Sequence, residues 1–260
     1  MSFRVDGYEA LLRDLRTADR RMIGVADFIQ AQVGERGEHY AILRHDVDRL
    51  SSWAVALARV EQRAGVASTY YFRCSAAGKF PEAAVKAISA AGHEVGYHYE
   101  CLSVCRGDRD AARAMFARNL AAFRKLAPCR SVAMHGAPLS RYRNQDLLLN
   151  LDIAAFDLEA DASLSFEQIA LAYFTDTGGR WNASRATNFR DRVGRAEGSY
   201  PDPFSPNFAT WLRGFRDPIY VATHPERWAH NPSGYFQAAA RDGVTNIAKR
   251  LIRMTRSDKS

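Results

Sequence analysis

Short apolar runs rich in β-branched and aromatic residues alternate with longer amphipathic segments along most of this 260-residue chain. The runs include YAILR from residue 40, ASTYYFR from residue 67 and IYVATH from residue 219. Strands that alternate with helical segments are typical of βα units and of a mostly parallel sheet. A chain of this length is also within the size range of a single α/β barrel. The pattern therefore predicts an α/β fold.

Cap and turn residues place the predicted elements along the chain. Ser51 or Ser52 is a suitable N-cap for one helix, and Asp108 is a suitable N-cap for another. The predicted helices cover about residues 8 to 19, 22 to 33, 52 to 64, 81 to 91, 108 to 127 and 208 to 215. The further predicted strands are HEVGYH from residue 93, SVAMH from residue 131, IAAFD from residue 153 and LAYFTD from residue 171.

In five of these segments, His or Asp comes directly after the apolar run. A single His or Asp after a strand is commonly a cap or a turn former. Five repeats of the same placement favour a shared site instead, because the carboxyl ends of parallel strands open on one rim of a barrel. The residues expected to meet there are Asp46, Asp48, His98, His135, Asp176 and His224.

Imidazole and carboxylate groups are the ligands expected of Zn²⁺ or a similar divalent ion. The remaining Asp and His side chains are suited to the base and acid roles of a metal-assisted hydrolase. Trp181 and Trp228 follow two of the five strand ends. They are predicted either to form an apolar wall of the site or to pack against the barrel rim.

The ordered motifs RHDVD, GHEVGYH, HGAP, TDTGGRW and VATHP resemble those of the polysaccharide deacetylase superfamily, the NodB-like enzymes of carbohydrate esterase family 4. The resemblance extends over about residues 38 to 230. It implies a distorted (β/α)7 barrel in one domain and a metal-dependent hydrolysis. By resemblance, Asp46 is the catalytic base, Asp48 and His98 bind the metal, and His224 is the general acid.

The chain departs from the family pattern at two positions. Leu102 stands where the family has a second metal-binding His, and His135 stands where it has an Arg that orients the base. His135 is expected to supply the missing imidazole, with Glu100 as the other candidate ligand. Arg44 is the candidate to replace the orienting Arg. Asp176 is expected either to support His224 or to contact the substrate.

The resemblance implies hydrolysis of an N-acyl group, acetyl or formyl, from a sugar intermediate of surface polysaccharide biosynthesis. Zn²⁺ is the expected ion, with Co²⁺, Mn²⁺ or Ni²⁺ as alternatives. A second hypothesis is a barrel that has lost its metal and binds a sugar or a partner protein without catalysis. A third is a different metal-dependent hydrolase, such as an amidase or a phosphoesterase.

Composition narrows the class of protein and its partners. The hydrophobic fraction of 47% and the charged fraction of 25% are those of an ordinary globular protein. The 36 Lys and Arg residues against 29 Asp and Glu give a net charge of +7, but they are scattered, which does not favour nucleic-acid binding. Four cysteines without paired CxxC motifs and no apparent signal segment lead us to expect a cytoplasmic protein.

Three regions are distinguished along the chain: an N-terminal helical segment packed on the barrel (1 to 36), the barrel (37 to 235) and a basic C-terminal helix (236 to 260). The last is predicted to dock on the fold, with weak contact to an acidic membrane surface as an alternative. A cytoplasmic substrate is expected to be nucleotide-linked or lipid-linked. The Arg-rich stretch 180 to 195, within a polar loop from 182 to 207, suits a diphosphate or is a solvated loop.

Overall fold

One parallel sheet of eight strands organises the protein. The structure, a computed structural model, describes residues 3–31, 39–137, 140–149, 151–177, 179–181, 193–195 and 200–228. The strands in chain order are β1 (Arg21–Ile23), β2 (Tyr40–Val47), β3 (Thr69–Arg73), β4 (Glu94–Tyr99), β5 (Ser131–Met134), β6 (Ala160–Asp161), β7 (Ala172–Thr175) and β8 (Ile219–Thr223). The main path of the sheet runs β6-β5-β4-β3-β2-β8-β7, and β1 pairs with β2. All of these pairs are parallel, which confirms the predicted parallel sheet.

Helices connect the strands and cover the outside of the sheet. They are α1 (Val5–Thr17), α2 (Val25–Ala31), α3 (Ser51–Arg63), α4 (Glu82–Ala90), α5 (Cys101–Val104), α6 (Arg109–Arg124) and α7 (Phe208–Gly214). Short 3-10 helices cover Asn144–Leu147, Ile153–Phe156, Leu164–Phe166 and Pro225–Arg227. No helix of the described part is both long and apolar enough to cross a bilayer.

The seven strands of the main path curl into an open half-barrel. The Tyr220 hydroxyl on β8 donates a hydrogen bond of 2.9 Å to the Ala162 carbonyl, which directly follows β6. The Tyr220 ring also packs edge-on against Phe166, with ring centroids 4.9 Å apart. These contacts join strands from opposite arms of the path, and one buried cluster holds side chains of β2, β3, β5, β6 and β8. The predicted distorted (β/α)7 barrel is thus confirmed.

The alternation of side chains along β2 assigns each residue to one of two layers. Tyr40 and Ile42 belong to the interior cluster, whereas Ala41 and Leu43 belong to a cluster shared with α1 and α7. Since neighbouring strand residues point to opposite faces, Arg44 and Asp46 are on the same face of β2 as Tyr40 and Ile42, the face toward the barrel interior. All eight residues of β2 are buried, as expected for a central strand with helices outside it.

Several elements differ from the sequence prediction because tertiary contacts decide them. The predicted strand IAAFD is the 3-10 helix Ile153–Phe156, which begins where the Asp152 carboxylate accepts the Ala154 N–H over 2.9 Å. The helix predicted from residue 22 begins only at Val25, because β1 occupies Arg21–Ile23. Its first N–H groups are capped from neighbouring strands, where Thr69 Oγ1 accepts the Val25 N–H over 2.8 Å.

The two predicted N-caps have different outcomes. The Asp108 carboxylate accepts the Ala111 N–H over 3.0 Å at the start of α6, as predicted. Helix α3 instead starts at Ser51, and its N-cap is Leu50 in the left-handed region at φ 45°. The C-terminal helix and most of the loop from 182 to 207 lie outside the described residues, so those predictions stand as they were made.

Candidate active site

Three parallel strands bring two carboxylates and two imidazoles together at one end of the barrel. Asp46 lies in β2 and His98 in β4, while Asp48 and His135 follow β2 and β5 directly. The Asp48 Oδ1 atom is 3.7 Å from His98 Nε2 and 3.7 Å from His135 Nε2. The Asp46 Oδ2 atom is 3.8 Å from the same His98 Nε2. The convergence expected from the strand ends is therefore present.

Backbone and side-chain acceptors orient both imidazole rings. His98 Nδ1 donates to the Ala133 carbonyl over 3.0 Å, and His135 Nδ1 contacts Glu100 Oε2 over 3.0 Å. Because a carbonyl and an ionised carboxylate only accept, each Nδ1 carries a proton, and Nε2 keeps a lone pair when the ring is neutral. Burial lowers the pKa of His98, although Asp46 and Asp48 act in the opposite direction. Both rings thus direct Nε2 toward Asp48.

Arg73, at the end of β3, holds Glu100 in place. Its Nη2 atom is 2.8 Å from each carboxylate oxygen of Glu100. Burial acts to raise the pKa of Glu100, but the hydrogen bonds from His135 and Arg73 outweigh burial and lower it to about 2. Sequence reasoning missed Arg73, and its position at the end of an apolar run was the available signal. Glu100 thus contacts His135 and Arg73, and its contact with His135 orients that ring.

One oxygen of the Asp48 carboxylate has no hydrogen-bond donor. This Oδ1 atom is buried and accepts no hydrogen bond from any described residue. Burial works against ionisation, but His135 and His98 hold the pKa of Asp48 well below its usual range. An ionised, buried oxygen without a donor is costly unless a cation satisfies it.

The distances around Asp48 are longer than hydrogen bonds and slightly longer than the spacing of metal ligands. A separation of 3.7 Å exceeds an N–H···O bond. Two ligand atoms about 2.1 Å from one tetrahedral ion lie roughly 3.4 Å apart, so a small closure would bring these atoms to ligand distances. As they stand, no three or more His, Cys, Asp or Glu side chains among the described residues are placed to hold a metal ion. Asp48, His98 and His135 thus match a divalent ion in donor type and not in spacing.

Arg44 and Asp46 form a buried, bidentate ion pair. Arg44 Nε is 2.7 Å from Asp46 Oδ1, and Arg44 Nη2 is 2.8 Å from Asp46 Oδ2. The two side chains meet because residues two apart in a strand share a face. Burial acts to raise the pKa of Asp46, but Arg44 and His98 outweigh it and lower the pKa. Asp46 is thus a carboxylate at neutral pH, held in one orientation.

His224 and Asp176 form a second pair on the same rim. Asp176 is fully buried and accepts the His224 Nδ1–H over 2.6 Å and the His224 backbone N–H over 2.9 Å. Burial and Arg227 act to lower the pKa of His224, but Asp176 and Asp48 outweigh them and raise it to about 9. His224 is also close enough to Asp46 and Asp48 to lower the pKa of both carboxyls. A protonated imidazole therefore faces the carboxylate cluster.

Two further residues have positions that the sequence did not settle. Trp181 is 5% exposed and packs in an aromatic cluster with Phe3 and Trp228, at centroid distances of 5.5 and 5.7 Å. It takes the second of its two expected roles, packing at the rim. Glu226 was missed: burial and then Asp48 raise its pKa to about 7, and its buried Oε2 has no hydrogen-bond partner in the described part.

The known proteins to which this chain is similar are solved structures. No protein-family model matches the chain, and no curated protein matches it significantly. The chain is similar to a family 4 carbohydrate esterase from Streptomyces lividans in complex with acetate, at 13% identity and a TM-score of 0.39, over 81% of this chain and 89% of that one. It is also similar to the Xyl-CE4 domain of a multidomain xylanase from the hindgut metagenome of Trinervitermes trinervoides, at 13% identity and a TM-score of 0.39, over 84% and 85%.

A third similar structure is BA3943 from Bacillus anthracis, described as a CE4 family pseudoenzyme, at 14% identity and a TM-score of 0.38. The match covers 80% of this chain and 60% of BA3943, so the chain spans less than two thirds of that protein. These structures belong to the family that the motifs resemble. At such low identities and TM-scores, the fold assignment rests on the strand topology and not on these matches.

Proposed function

We propose that the chain is a metal-dependent hydrolase that removes an N-acyl group, acetyl or formyl, from a sugar intermediate. The observation that carries this proposal is the buried, unpartnered Asp48 Oδ1 with two imidazole Nε2 atoms at 3.7 Å. An ionised oxygen in that setting is stabilised by a divalent cation, and Zn²⁺ is the ion that best suits two imidazoles and one carboxylate.

Asp48, His98 and His135 would hold the ion. When bound, it polarises the acyl oxygen and lowers the pKa of a water molecule toward about 7. The contacts of His98 with the Ala133 carbonyl and of His135 with Glu100 are of the kind that fix the orientation of ligating imidazoles. His135 thereby takes the place of the His that the family has at position 102.

Asp46 is the proposed general base. Its carboxylate is ionised at neutral pH, and Arg44 holds it within 3.8 Å of the His98 ring, at the edge of the ligand set. From that position it can take a proton from the attacking water. Arg44 occupies the role of the family's orienting Arg, although it comes from the same strand as the base.

His224 is the proposed general acid. Since its Nδ1 is bonded to Asp176, its Nε2 is the atom that donates a proton to the departing amine. An amine is a poor leaving group unless it is protonated, so a ring that is charged at neutral pH suits the step. Asp176 keeps the ring oriented and charged.

The substrate proposed from the sequence is an intermediate of surface polysaccharide biosynthesis, linked to a nucleotide or a lipid carrier and made in the cytoplasm. The Arg-rich stretch 180 to 195 supports a charged sugar derivative.

Metal titration tests the proposal directly. Protein purified without a metal-affinity tag and dialysed against chelator should bind one equivalent of Zn²⁺ or Co²⁺, and His98→Ala should lose that binding. His39→Ala is the matched control, because His39 contacts Arg216 outside the site. No binding of Zn²⁺, Co²⁺, Mn²⁺ or Ni²⁺ would contradict the proposal and favour a non-catalytic sugar-binding barrel.

An activity assay then separates the possible reactions. Release of acetate or formate from N-acylated sugars would distinguish a sugar deacylase from an amidase that acts on other substrates and from a phosphoesterase.

A further inference from the structure

A cavity of about 730 Å³ opens beside the candidate metal ligands. Asp48 and Glu100 line one part of it, so the cavity is continuous with the active site. Its other walls come from the start of α3, the segment between β3 and α4, and helices α5 and α6. This volume is within the range that holds a small organic ligand.

Three cationic side chains line this cavity. Arg49, Lys79 and Arg118 are on its wall, and none of the three side chains forms an ion pair or a hydrogen bond with a residue that the structure describes. They come from three separate elements, the turn after β2, the β3–α4 segment and helix α6. Two other Arg side chains near the rim are engaged, Arg73 with Glu100 and Arg44 with Asp46.

Three positive charges around one concave surface attract an anion. A carboxylate carries one negative charge, which is fewer than the three positive charges present. A phosphate or diphosphate offers several acceptor oxygens and about two negative charges, and so matches them better. Two carboxylates share the cavity, Glu100, which is paired with Arg73, and Asp48, which faces His98 and His135. The four cationic residues on the wall, which include Arg73, outnumber these two carboxylates, so the net charge of the cavity wall is positive.

Apolar side chains form the rest of the wall. Leu50 is 42% exposed and Val104 is 53% exposed, and both line the cavity together with Phe80 and Met115. Leu50 is also held at φ 45°, a conformation that costs a leucine energy and that persists most often at functional sites. The cavity thus combines a cationic edge with an apolar surface.

We infer that this cavity binds the phosphate of a phosphate-linked sugar, with Arg49, Lys79 and Arg118 as its ligands. The inference rests on the proposed function for the placement of the sugar, whose acyl group would face Asp48. The phosphate would then lie on the cationic wall, and the group esterified to it would extend over Leu50 and Val104. The site would favour sugar phosphates over neutral sugars of the same configuration.

Calorimetric titration with inorganic pyrophosphate tests the anion site without reference to the sugar. The protein is first dialysed against chelator, so that pyrophosphate cannot bind through an ion. We expect saturable binding by the natural chain and a roughly tenfold or greater loss of affinity in Lys79→Ala/Arg118→Ala, since tenfold corresponds to about 1.4 kcal/mol. Both side chains are exposed, so the variant should fold, which circular dichroism verifies.

The matched control is Arg59→Ala/Lys125→Ala, which removes one Arg and one Lys from exposed positions that do not line the cavity. Its affinity for pyrophosphate should stay within about twofold of the natural chain, because screened surface charges act weakly at a distance. An absence of pyrophosphate binding, or equal losses in the two double variants, would overturn the inference.

Two further ligands distinguish the source of the phosphate. Uridine diphosphate that binds more tightly than pyrophosphate supports a nucleotide-linked sugar. Decyl phosphate that binds more tightly than inorganic phosphate, and loses this advantage in Leu50→Ala/Val104→Ala, supports a lipid-linked sugar. Protein that binds pyrophosphate but no metal would contradict the proposed function alone. Protein that binds metal and releases acetate from N-acetylated sugars, yet binds no pyrophosphate, would contradict this inference alone.

Discussion

The His135 ring bridges Glu100 and Asp48: its Nδ1 is 3.0 Å from Glu100 Oε2 and its Nε2 is 3.7 Å from Asp48 Oδ1. One ring thus joins a supporting carboxylate to a candidate ligand carboxylate. This is the arrangement by which proteins orient ligating imidazoles and raise their basicity. Under the proposed function, it supplies an imidazole directly after β5, where the family that the motifs resemble has a His four positions after the first.

Glu100→Gln should weaken metal binding by roughly 10-fold to 100-fold, because a neutral amide orients the His135 ring less firmly and withdraws its charge. Competition with a chromophoric chelator measures the change. Glu82→Gln is the matched control, since Glu82 is exposed and pairs with Lys86 on the surface. Equal affinities in the natural chain and Glu100→Gln would remove the supporting role of Glu100.

Leu102→His should not strengthen metal binding, although it restores the family motif. Leu102 is 4% exposed and belongs to a core cluster packed beneath α5. An imidazole there would lose that packing and bury a polar group, at a cost of about 2 kcal/mol or more in unfolding free energy. Chemical denaturation and Zn²⁺ titration check both parts. Tighter Zn²⁺ binding by Leu102→His would show that position 102 still reaches the metal site.

Asp46→Asn should lower kcat by roughly 10²-fold to 10⁴-fold while Zn²⁺ stays bound, since the amide cannot accept the proton but is not placed among the ligands. The amide oxygen still accepts one hydrogen bond from Arg44, so folding should survive at reduced stability. Steady-state kinetics and metal content are measured on the same preparation. Activity of Asp46→Asn close to that of the natural chain would assign the base elsewhere.

The activity of the natural chain should fall as pH rises toward about 9, because His224 loses the proton that it donates. Asp176→Asn removes a charge that holds the pKa of His224 up, so the alkaline limb of the kcat profile should move to lower pH.

The pKa of His224 in the folded chain lies above its ordinary value of 6.5. Its contribution to stability is therefore full below about 6.5 and is lost as pH rises through about 9.

Asp176→Glu serves as the control for this pH profile, because it keeps the charge while shifting the carboxylate. An alkaline limb that stays at the same pH in Asp176→Asn would separate Asp176 from the titration of His224.

Glu61→Gln should reduce the unfolding free energy by about 3 kcal/mol at neutral pH. Glu61 is fully buried on α3 and accepts hydrogen bonds from Tyr70, Ser68 and Tyr8, with His45 Nε2 2.9 Å away. Burial acts to raise its pKa, but His45 and the hydrogen bonds outweigh it and lower the pKa to about 2, from an ordinary 4.5. This stabilisation is present above about 4.5 and is lost as pH falls through about 2.

Urea unfolding at pH 7 and pH 3 measures the loss in Glu61→Gln against the surface variant Glu82→Gln. The gap between the two variants should narrow at the lower pH, because the Glu61 carboxylate is then contributing less. A gap that is independent of pH would attribute the loss to packing.

Local sequence was sufficient to predict the parallel sheet and the strand ends that carry the site. The strands β2, β4 and β8 read as short apolar runs because they are buried on both faces, and the polar residue that ends each run marks the rim. The Asp108 cap was predictable because it is also a local feature: the Asp108 carboxylate accepts the N–H of Ala111, three residues further along the chain. The short β1 and β6 have too few residues to show a pattern.

What the sequence by itself determined is which polar residues lie at the rim, because strand period and strand end are local properties. Tertiary structure alone decided that His135 lies beside Asp48 while Glu100 contacts His135 and Arg73, and that Leu102 belongs to the core. These outcomes depend on distances between β2, β3, β4 and β5, which no single segment encodes. Side-chain roles at a converging site are therefore settled by packing between strands.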